Sequence, residues 1–210
     1  MMKTLELFAG SCSFSKVAKE LGHKTFTTDN NQYGGIDYVK DILSFDYSKV
    51  SYIPDMIWSS PPCTTFSVAS IGCHWTGGKN VYIPKTDKSR LGIKLVKKTL
   101  EIIEHYKKLN PALLYYIENP RGVLRKLGIL DNVPIRNTVT YCQYGDNRMK
   151  PTDIWTNDKN WIPRPMCHNG DSCHISAPRG SKTGAQGLKG AYERSIIPSE
   201  LFKEIFKNIN

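Results

Sequence analysis

The chain of 210 residues has no apolar run that reaches the roughly 18 residues of a membrane-spanning helix. Its first residues, MMKTLELFAGSCSFSK, resemble a secretory signal only weakly, because their apolar stretch is short and contains Glu6. We interpret them as a first strand and expect a cytoplasmic monomer without a membrane partner. The length suits one ordinary domain with a small appendage.

Acidic residues are few compared with basic ones. The chain has 19 Asp and Glu against 29 Lys and Arg, which gives a formal net charge of +10. This excess favours a polyanionic partner, most simply nucleic acid, although a generally basic surface is the plainer alternative. Basic residues are dense between positions 79 and 108, shortly after the segment SSPPCTTFS.

Strand-like and helix-like segments alternate along the chain. KTLELFAG, KTFTTD, DYVKDI, DMIWSS, PALLYYIENP and NTVTYC predict strands, while SFSKVAKELG, GIKLVKKTLEIIEHYKKL and PSELFKEIFKNI predict helices. This alternation predicts an α/β fold with a Rossmann-like, doubly wound, mostly parallel sheet that binds ligands at the strand carboxyl ends. Residues 157–190, rich in Gly, Pro, Ser and Cys, predict a small lobe beside a main domain of residues 1–156 and 191–210.

The turn after the first strand lacks the full G-x-G-x-x-G pattern, which disfavours a dinucleotide. Gly10 would let the backbone approach a ligand, and Asp29 ends the next strand, where an acid often binds ribose hydroxyls. An adenosine ligand without a pyrophosphate, such as S-adenosylmethionine, suits this pattern better. Tight packing alone is the other explanation of the turn.

Cys63 follows a predicted strand and two prolines that restrict the backbone. A thiolate is the reactive form of cysteine, and we expect the neighbouring basic residues to lower its pKa. Glu118 ends another apolar strand, where burial would raise its pKa and make it a proton donor. A thiolate and such an acid favour covalent attack on C6 of a cytosine taken out of its base stack, which activates C5. A buried cysteine and a surface acid are the structural alternatives.

At these residues the chain resembles the DNA cytosine-5 methyltransferase family, in a compact form similar to bacteriophage-borne members, and a setting in restriction-modification or in a phage is expected. LELFAGSCSFSK is similar to the cofactor motif, DMIWSSPPCTTFS to the nucleophile motif and YYIENPRG to the motif that binds the target cytosine. YCQYGDNRMKPTDIW and ERSIIPSELFKEI resemble two later motifs, and all five occur in family order. The resemblance implies a class I methyltransferase main domain and a short target-recognition lobe at 157–190.

The resemblance also implies S-adenosylmethionine as cofactor and duplex DNA with a flipped cytosine as substrate. Cys63 matches the nucleophile and Glu118 the contact to cytosine N3. The cofactor residues implied are Phe8, Ala9, Gly10, Ser11, Ser13, Asp29, Asn30, Asp41, Ile42, Pro61 and Ser195. The substrate-binding residues expected are Pro62, Lys79, Lys85, Arg90, Asn119, Arg121, Arg179 and Lys182.

Two features depart from the family pattern. The family motif with two arginines is represented by Arg148 and Lys150, with Thr152 in the other position. We expect one of the two basic residues to contact the flipped cytosine or its phosphate. The usual large recognition domain is replaced by a much shorter lobe, whose basic end, SAPRGSKTGAQGLKG, could follow phosphates or be a plain loop.

The lobe also contains MCHNGDSCHIS, which suggests a metal site. Four Cys and His ligands can bind zinc tetrahedrally, and a short lobe with few apolar residues would gain from such a site. The preferred set is Cys142, Cys167, Cys173 and His174, because the adjacent Cys167 and His168 rarely both reach one ion. Free thiols are the alternative.

Three other functions stay open at this point. An exocyclic amino-methyltransferase would carry an aromatic residue where Cys63 stands, and Glu118 would have no clear role in it. A DNA-binding protein that has lost turnover would fit the altered arginine motif. A methyltransferase acting on RNA cytosine would have the same basic charge as one acting on DNA.

Overall fold

The computed structural model describes residues 1–77, 81–175 and 190–209. Within them the strands are β1 Lys3–Leu7, β2 Lys24–Asp29, β3 Tyr38–Val39, β4 Met56–Ser59, β5 Trp75–Thr76, β6 Ile83–Pro84, β7 Leu114–Pro120, β8 Ile135–Thr140 and β9 Pro151–Thr156. The helices are α1 Ser13–Glu20, α2 Ile71–His74, α3 Asp87–Leu109, α4 Ala191–Ser195 and α5 Ser199–Lys207. In this part of the chain, no helix has both the length and the apolar character needed to cross a membrane.

Seven strands form one sheet in the order β3-β2-β1-β4-β7-β9-β8. β1, β2, β3, β4 and β7 are mutually parallel, while β9 runs antiparallel to both β7 and β8. The predicted doubly wound, mostly parallel sheet is therefore confirmed. The strand order reverses between β1 and β4, so their carboxyl ends flank a crevice of the kind that binds ligands in such folds.

Strand β9 is absent from the sequence prediction. Its segment, PTDIWT, begins with a proline and contains Asp153, and both residue types are depleted in strands. The fold accommodates Asp153, which is fully buried, through an ion pair of 2.6 Å with Arg125 and a hydrogen bond of 2.8 Å from Thr138. Tertiary pairing with β7 and β8 thus overrides the local preference.

Apolar side chains cover both faces of the sheet. One cluster packs α3 against residues such as Leu5, Ile57 and Ile117. The other packs α1 and α5 around Trp58 and Tyr116. The burial of both faces explains why the central strands are almost continuously apolar.

The sequence predicts a serine cap for α1, and this detail is wrong. Cys12 occupies the cap position in the left-handed region, with φ of 53°, and its side chain makes no cap hydrogen bond. Glu6 of β1 instead accepts hydrogen bonds from the backbone N–H groups of Phe14 (3.4 Å) and Ser15 (2.9 Å). A buried carboxylate at a helix amino terminus accepts hydrogen bonds from backbone N–H groups that have no partner within the helix. It also interacts favourably with the positive end of the helix dipole.

Residues 157–175 contain no helix or strand and lie against the segment that follows β8. Cys167 N–H donates to Thr140 Oγ1 at 3.0 Å, and the Arg164 guanidinium donates to the Gln143 carbonyl at 2.7 Å. These contacts connect the predicted lobe directly to the sheet. The assignment of 157–190 as a separate recognition lobe stays a prediction.

Candidate active site

The turn between β1 and α1 adopts an unusual backbone conformation. Phe8, Gly10 and Cys12 all have positive φ, at 57°, 47° and 53°. The N–H group of Gly10 donates to Asp29 Oδ2 at 3.0 Å, which connects the turn to the end of β2. A methyl group added at Gly10 would lie 3.8 Å from Ser195 Oγ, so the carboxyl-terminal segment covers this turn closely.

A small pocket opens where β1 and β2 end. Its lining includes five residues expected to bind cofactor, which are Phe8, Asp29, Asn30, Asp41 and Ile42. Asp29 contributes a carboxylate, and Ile42 and Phe8 contribute apolar surface. Pro62, predicted to contact substrate, lies on the same wall. The other expected cofactor residues, Ala9, Gly10, Ser11, Ser13, Pro61 and Ser195, are not in its lining.

Sequence reasoning missed Thr28, Lys40 and Leu95 in this lining. Thr28 precedes Asp29 near the end of β2, and that position could have indicated that it lines the pocket. Leu95 comes from α3, and nothing in the sequence indicates that it reaches the pocket. The Thr28 hydroxyl is buried and has no hydrogen-bond partner among the described residues. An unpaired buried hydroxyl is costly, and a ligand could supply the missing partner.

Ser11 and Ser13 lie on the opposite side of the turn from Asp29. They line a larger cavity of about 720 Å³ between α1, the turn after β8 and the start of α5. Their hydroxyls are 2.7 Å apart, and Ser13 accepts a hydrogen bond from the N–H of Ile197 at 3.2 Å. The Ser195 hydroxyl donates to the Tyr192 carbonyl at 2.7 Å. Ala9 is buried, and its N–H donates to the Thr28 carbonyl at 3.0 Å.

The loop after β4 is fixed by hydrogen bonds on both sides of Cys63. Buried Asn119 donates from Nδ2 to the Pro61 carbonyl at 2.8 Å. The Cys63 carbonyl accepts from the N–H groups of Phe66 (2.9 Å) and Ser67 (3.1 Å). These bonds hold the partly exposed thiol at the carboxyl edge of the sheet, between the ends of β1 and β7.

Gly92 lets α3 approach this loop. A methyl group added there would lie 2.9 Å from Thr65 Oγ1 and 3.1 Å from the ring of Phe66. Any larger side chain would therefore push the helix away from the residues that follow Cys63. The glycine has no special backbone conformation to satisfy, and the close approach is its structural role.

The pKa of the Cys63 thiol is raised, contrary to the expectation from the sequence. Burial is the largest cause, and the charge of Glu118 acts in the same direction. Lys150 and Arg194 lower the pKa, as expected of cations, but burial outweighs them. The free thiol is thus mostly protonated at neutral pH, while its neighbours already include the charges that favour a thiolate.

Glu118 is buried near the end of β7, next to β4. The hydroxyl of Tyr141 donates to Glu118 Oε1 at 3.1 Å, and Lys150 Nζ lies 4.0 Å from the same oxygen. Burial holds the pKa of Tyr141 well above its ordinary value, so this hydroxyl stays a donor. The carboxylate is therefore oriented by a neutral donor and a cation.

Arg148 and Lys150 have different surroundings. The guanidinium of Arg148 pairs with Asp146 and donates to the backbone carbonyls of Ile196, at 3.0 Å, and Glu193, at 3.4 Å. Its side chain is 6% exposed, so these contacts within the chain occupy it. Lys150 lies over the ring of Tyr141, 4.7 Å from its centroid, and beside Glu118. Of the two predicted catalytic cations, only Lys150 has its charge beside the carboxylate.

The expected substrate residues are spread over the same edge and beyond it. Arg121 lies in a shallow groove with Arg125 and Lys126. Lys85 donates to the Gly72 carbonyl at 3.4 Å, and Arg90 pairs with Asp87 at 2.8 Å. Lys79, Arg179 and Lys182 lie outside the described residues, as does most of the predicted phosphate-binding segment.

The four predicted metal ligands lie together. The Sγ atoms of Cys142, Cys167 and Cys173 and a ring nitrogen of His174 are all within 4.8 Å of one another. Cys142 directly follows Tyr141, the residue whose hydroxyl donates to Glu118. The cluster is therefore next in sequence to a residue that contacts Glu118. His168 lies apart from the cluster, with a side chain that is 87% exposed.

Comparison with known proteins identifies relatives of the whole chain. No family model matches it. A protein of frog virus 3 (isolate Goorha), named "Probable DNA (cytosine-5)-methyltransferase", is 32% identical over an alignment of 211 positions that covers 92% of each chain. A crystal structure titled "putative DNA modification methyltransferase encoded within prophage" (E. coli) superimposes with a TM-score of 0.55 at 14% identity. That superposition covers 99% of this chain and 70% of the other, and it supports the fold.

Proposed function

Because the chain belongs to the DNA (cytosine-5)-methyltransferase family, we propose that it transfers a methyl group from S-adenosylmethionine to C5 of cytosine in DNA through a covalent bond to Cys63. The arrangement of Cys63, Glu118 and Lys150 at one edge of the sheet is the observation that carries this proposal. A thiol, a carboxylate and a cation are the groups that addition to a pyrimidine ring requires.

The residues around the turn after β1 fit this cofactor. Asp29 offers carboxylate oxygens to a ribose, Asp41 can accept from an adenine amino group, and Ile42 offers apolar contact to the ring. The unpaired hydroxyl of Thr28 is a further polar group for the nucleoside. Gly10 has a φ of +47°, so the turn takes a backbone conformation that other residues rarely adopt. When bound, S-adenosylmethionine supplies an electrophilic methyl group on its sulfonium.

Cys63 is the nucleophile in this proposal. Its thiolate forms a bond to C6 of the flipped cytosine, which makes C5 electron-rich enough to take the methyl group, and S-adenosylhomocysteine would be left as the second product. Transfer of the C5 proton to solvent water then returns the electron pair to the ring and expels the thiolate, so the enzyme is regenerated. Asn119 and the neighbouring backbone keep the sulfur in position, because they fix the loop on either side of it.

Glu118 and Lys150 serve different parts of the addition. Glu118 gives a proton to N3 of the cytosine as the thiolate attacks C6, which neutralises the negative charge that the attack places on the ring, and takes the proton back when the thiolate leaves. Tyr141 orients this carboxyl group through its 3.1 Å hydrogen bond. Lys150 lowers the pKa of Cys63, and its Nζ lies 4.0 Å from Glu118 Oε1.

A covalent trap tests the proposal. The purified protein is mixed with S-adenosylmethionine and duplex DNA that contains 5-fluorocytosine in random contexts, and the mixture is separated on a denaturing gel. The fluorine cannot leave as a proton does, so the enzyme is expected to stay bonded to the DNA. Cys63→Ala should give no shifted band, whereas Cys73→Ser, which changes an exposed cysteine of α2, should give the full band.

The other functions predict different results. Adduct formation with RNA but not with DNA would show that DNA is not the substrate. It would still support covalent attack by Cys63 on cytosine. Methyl transfer to DNA by Cys63→Ala would indicate an exocyclic amino group as the acceptor. DNA binding without an adduct or transfer would identify a binding protein that has lost turnover.

A further inference from the structure

The four-residue cluster of Cys142, Cys167, Cys173 and His174 has dimensions close to those of a metal site. The sulfur of Cys142 lies 3.0 Å from that of Cys167 and 3.6 Å from that of Cys173. Nδ1 of His174 lies 3.8 Å from the Cys167 sulfur and 3.7 Å from the Cys173 sulfur. Tetrahedral zinc with bonds of about 2.3 Å to sulfur and about 2.0 Å to nitrogen requires ligand separations of roughly 3.5–3.8 Å. Three of the four distances are within about 0.2 Å of that range.

Independent hydrogen bonds bring each ligand to this place. The N–H of Cys167 donates to Thr140 Oγ1 at 3.0 Å, directly beside the strand end that carries Cys142. Asp171 closes the following turn by accepting from the His168 N–H at 2.7 Å. The N–H of Ile175 then donates to the Asn147 carbonyl at 2.9 Å, which holds the turn against the main domain. The backbone therefore positions the ligands without a bond between sulfurs.

The surroundings of the cluster suit thiolate ligands. Gln143 Nε2 lies 3.5 Å from the Cys173 sulfur, and an amide donor at that position supports a metal-bound thiolate. His168, the neighbour of Cys167, is directed toward Asp171 with its ring nitrogen 4.0 Å from the carboxylate. One histidine is thus in the cluster and the other is outside it.

The apolar core cannot account for this segment. From 168 to 175 every residue is exposed or partly exposed, and the segment has no helix or strand. A stretch of this kind loses much backbone entropy on folding and gains little from burial. A bound metal ion supplies the missing stabilisation, as it does in other small units with little core.

We infer that Cys142, Cys167, Cys173 and His174 bind one structural zinc ion, which attaches the 157–175 segment to the turn that follows β8. Four protein ligands leave no open coordination position, so the ion is structural and takes no part in catalysis. Three thiolates and one imidazole favour zinc over magnesium or calcium, which prefer oxygen.

The ion also affects the proposed active site, because its ligand Cys142 is joined by a peptide bond to Tyr141. Cys142 follows Tyr141, whose hydroxyl donates to Glu118, and the same turn returns to the sheet through Lys150. Fixing the sulfur of Cys142 therefore restricts the ring of Tyr141. Tyr141 is in this sense a positioning residue, and zinc stabilises its position.

Metal content is the first measurement. The full chain is purified without a metal-affinity step and without chelators, and zinc is determined by mass spectrometry. We expect about one zinc ion per chain. After removal of zinc, addition of cobalt(II) should produce the visible absorption of tetrahedral cobalt and the ultraviolet charge-transfer bands of thiolate ligands. A chain that contains no zinc and gives neither spectrum would overturn the inference.

Matched variants locate the ion. Cys173→Ser and His174→Ala should lose zinc and the cobalt spectrum, while Cys73→Ser and His168→Ala, which change exposed residues of the same types, should keep both. Equal zinc content in all four variants would contradict the assignment. Because the ligand variants could unfold, wild-type protein is also melted with and without chelator, and a lower melting temperature with chelator is expected.

Thiol counting separates zinc from a disulfide between Cys142 and Cys167. In denaturant with a chelator and no reductant, a zinc site releases all six cysteines as free thiols. A count of four would indicate a disulfide and would overturn the inference. The test is independent of methyl transfer, so it stands even if the proposed function fails.

Discussion

Two cysteines at the ends of strands in one sheet have opposite surroundings. Cys63 follows β4 as a single thiol, with Lys150, Arg194 and Glu118 as its charged neighbours. Cys142 follows β8 and is buried, next to the buried sulfur of Cys167, the exposed sulfur of Cys173 and the partly buried imidazole of His174. Around Cys63, charged side chains surround one reactive sulfur atom. Around Cys142, three sulfurs and one imidazole nitrogen lie close enough together to bind one metal ion. The identity of the neighbours, rather than the strand end itself, separates a nucleophile from a metal ligand.

The sharpest way to separate the two cysteines is to remove each of them. Cys63→Ala should abolish turnover, since alanine has no nucleophilic atom to form the bond to C6, and should leave zinc content and cofactor binding unchanged. Cys142→Ser should lose zinc and stability together. Methyl transfer, zinc content and S-adenosylmethionine binding by calorimetry are measured on both variants. Retained turnover in Cys63→Ala would remove the covalent mechanism.

Glu118→Gln should have the next largest effect. The amide keeps the shape of the side chain but cannot give a proton to N3 of the cytosine during the attack. A loss of about 100-fold or more in kcat is expected, in line with the contribution of a positioned acid or base. Single-turnover methylation measures it, and an unchanged rate would show that this carboxylate does not contact the base.

Tyr141→Phe tests the connection between the two cysteine regions. It removes the 3.1 Å hydrogen bond to Glu118 and keeps the ring, on which Lys150 packs. A hydrogen bond to a charged group contributes about 1.5–3 kcal/mol, so kcat should fall about 10-fold or more. KM should change little if Tyr141 only orients the carboxylate. An equal loss of zinc would instead indicate that the whole turn has rearranged.

Lys150→Met should have the smallest effect, and it should depend on pH. The lysine lowers the pKa of Cys63, so its removal raises that pKa further above its ordinary value. Less thiolate is then present at neutral pH, and the rise of alkylation rate with pH should move to higher pH. The pH dependence is measured by labelling the protein with iodoacetamide at several pH values and determining the labelled fraction of the Cys63 peptide by mass spectrometry. A shift to lower pH would contradict the assigned role.

Much of the proposed site could be predicted because it lies at strand ends. Asp29, Cys63 and Glu118 each lie at or just after the end of a strand, and parallel strands bring such ends to one edge. The grouping of the four proposed metal ligands could also be predicted, since the residues considered were restricted to Cys and His. In both cases the residue type and its place along the chain carried the information.

The features that were missed depend on contacts between distant parts of the chain. The segment of β9 was not predicted as a strand, because the pairing of Asp153 with Arg125 is not visible in the sequence. Glu6 gives no local sign that it caps α1. The raised pKa of Cys63 follows from how closely other atoms surround the thiol, whereas charge density along the sequence indicated the opposite direction.

Arg148 has a consequence for how the molecule is made. It connects the turn after β8 to the carbonyls of Glu193 and Ile196, while Ser13 accepts from Ile197. The β1 turn is translated before the segment that covers it, since more than 170 residues separate Ser13 from Glu193. A growing polypeptide therefore cannot complete this site until residues 193–197 have left the ribosome.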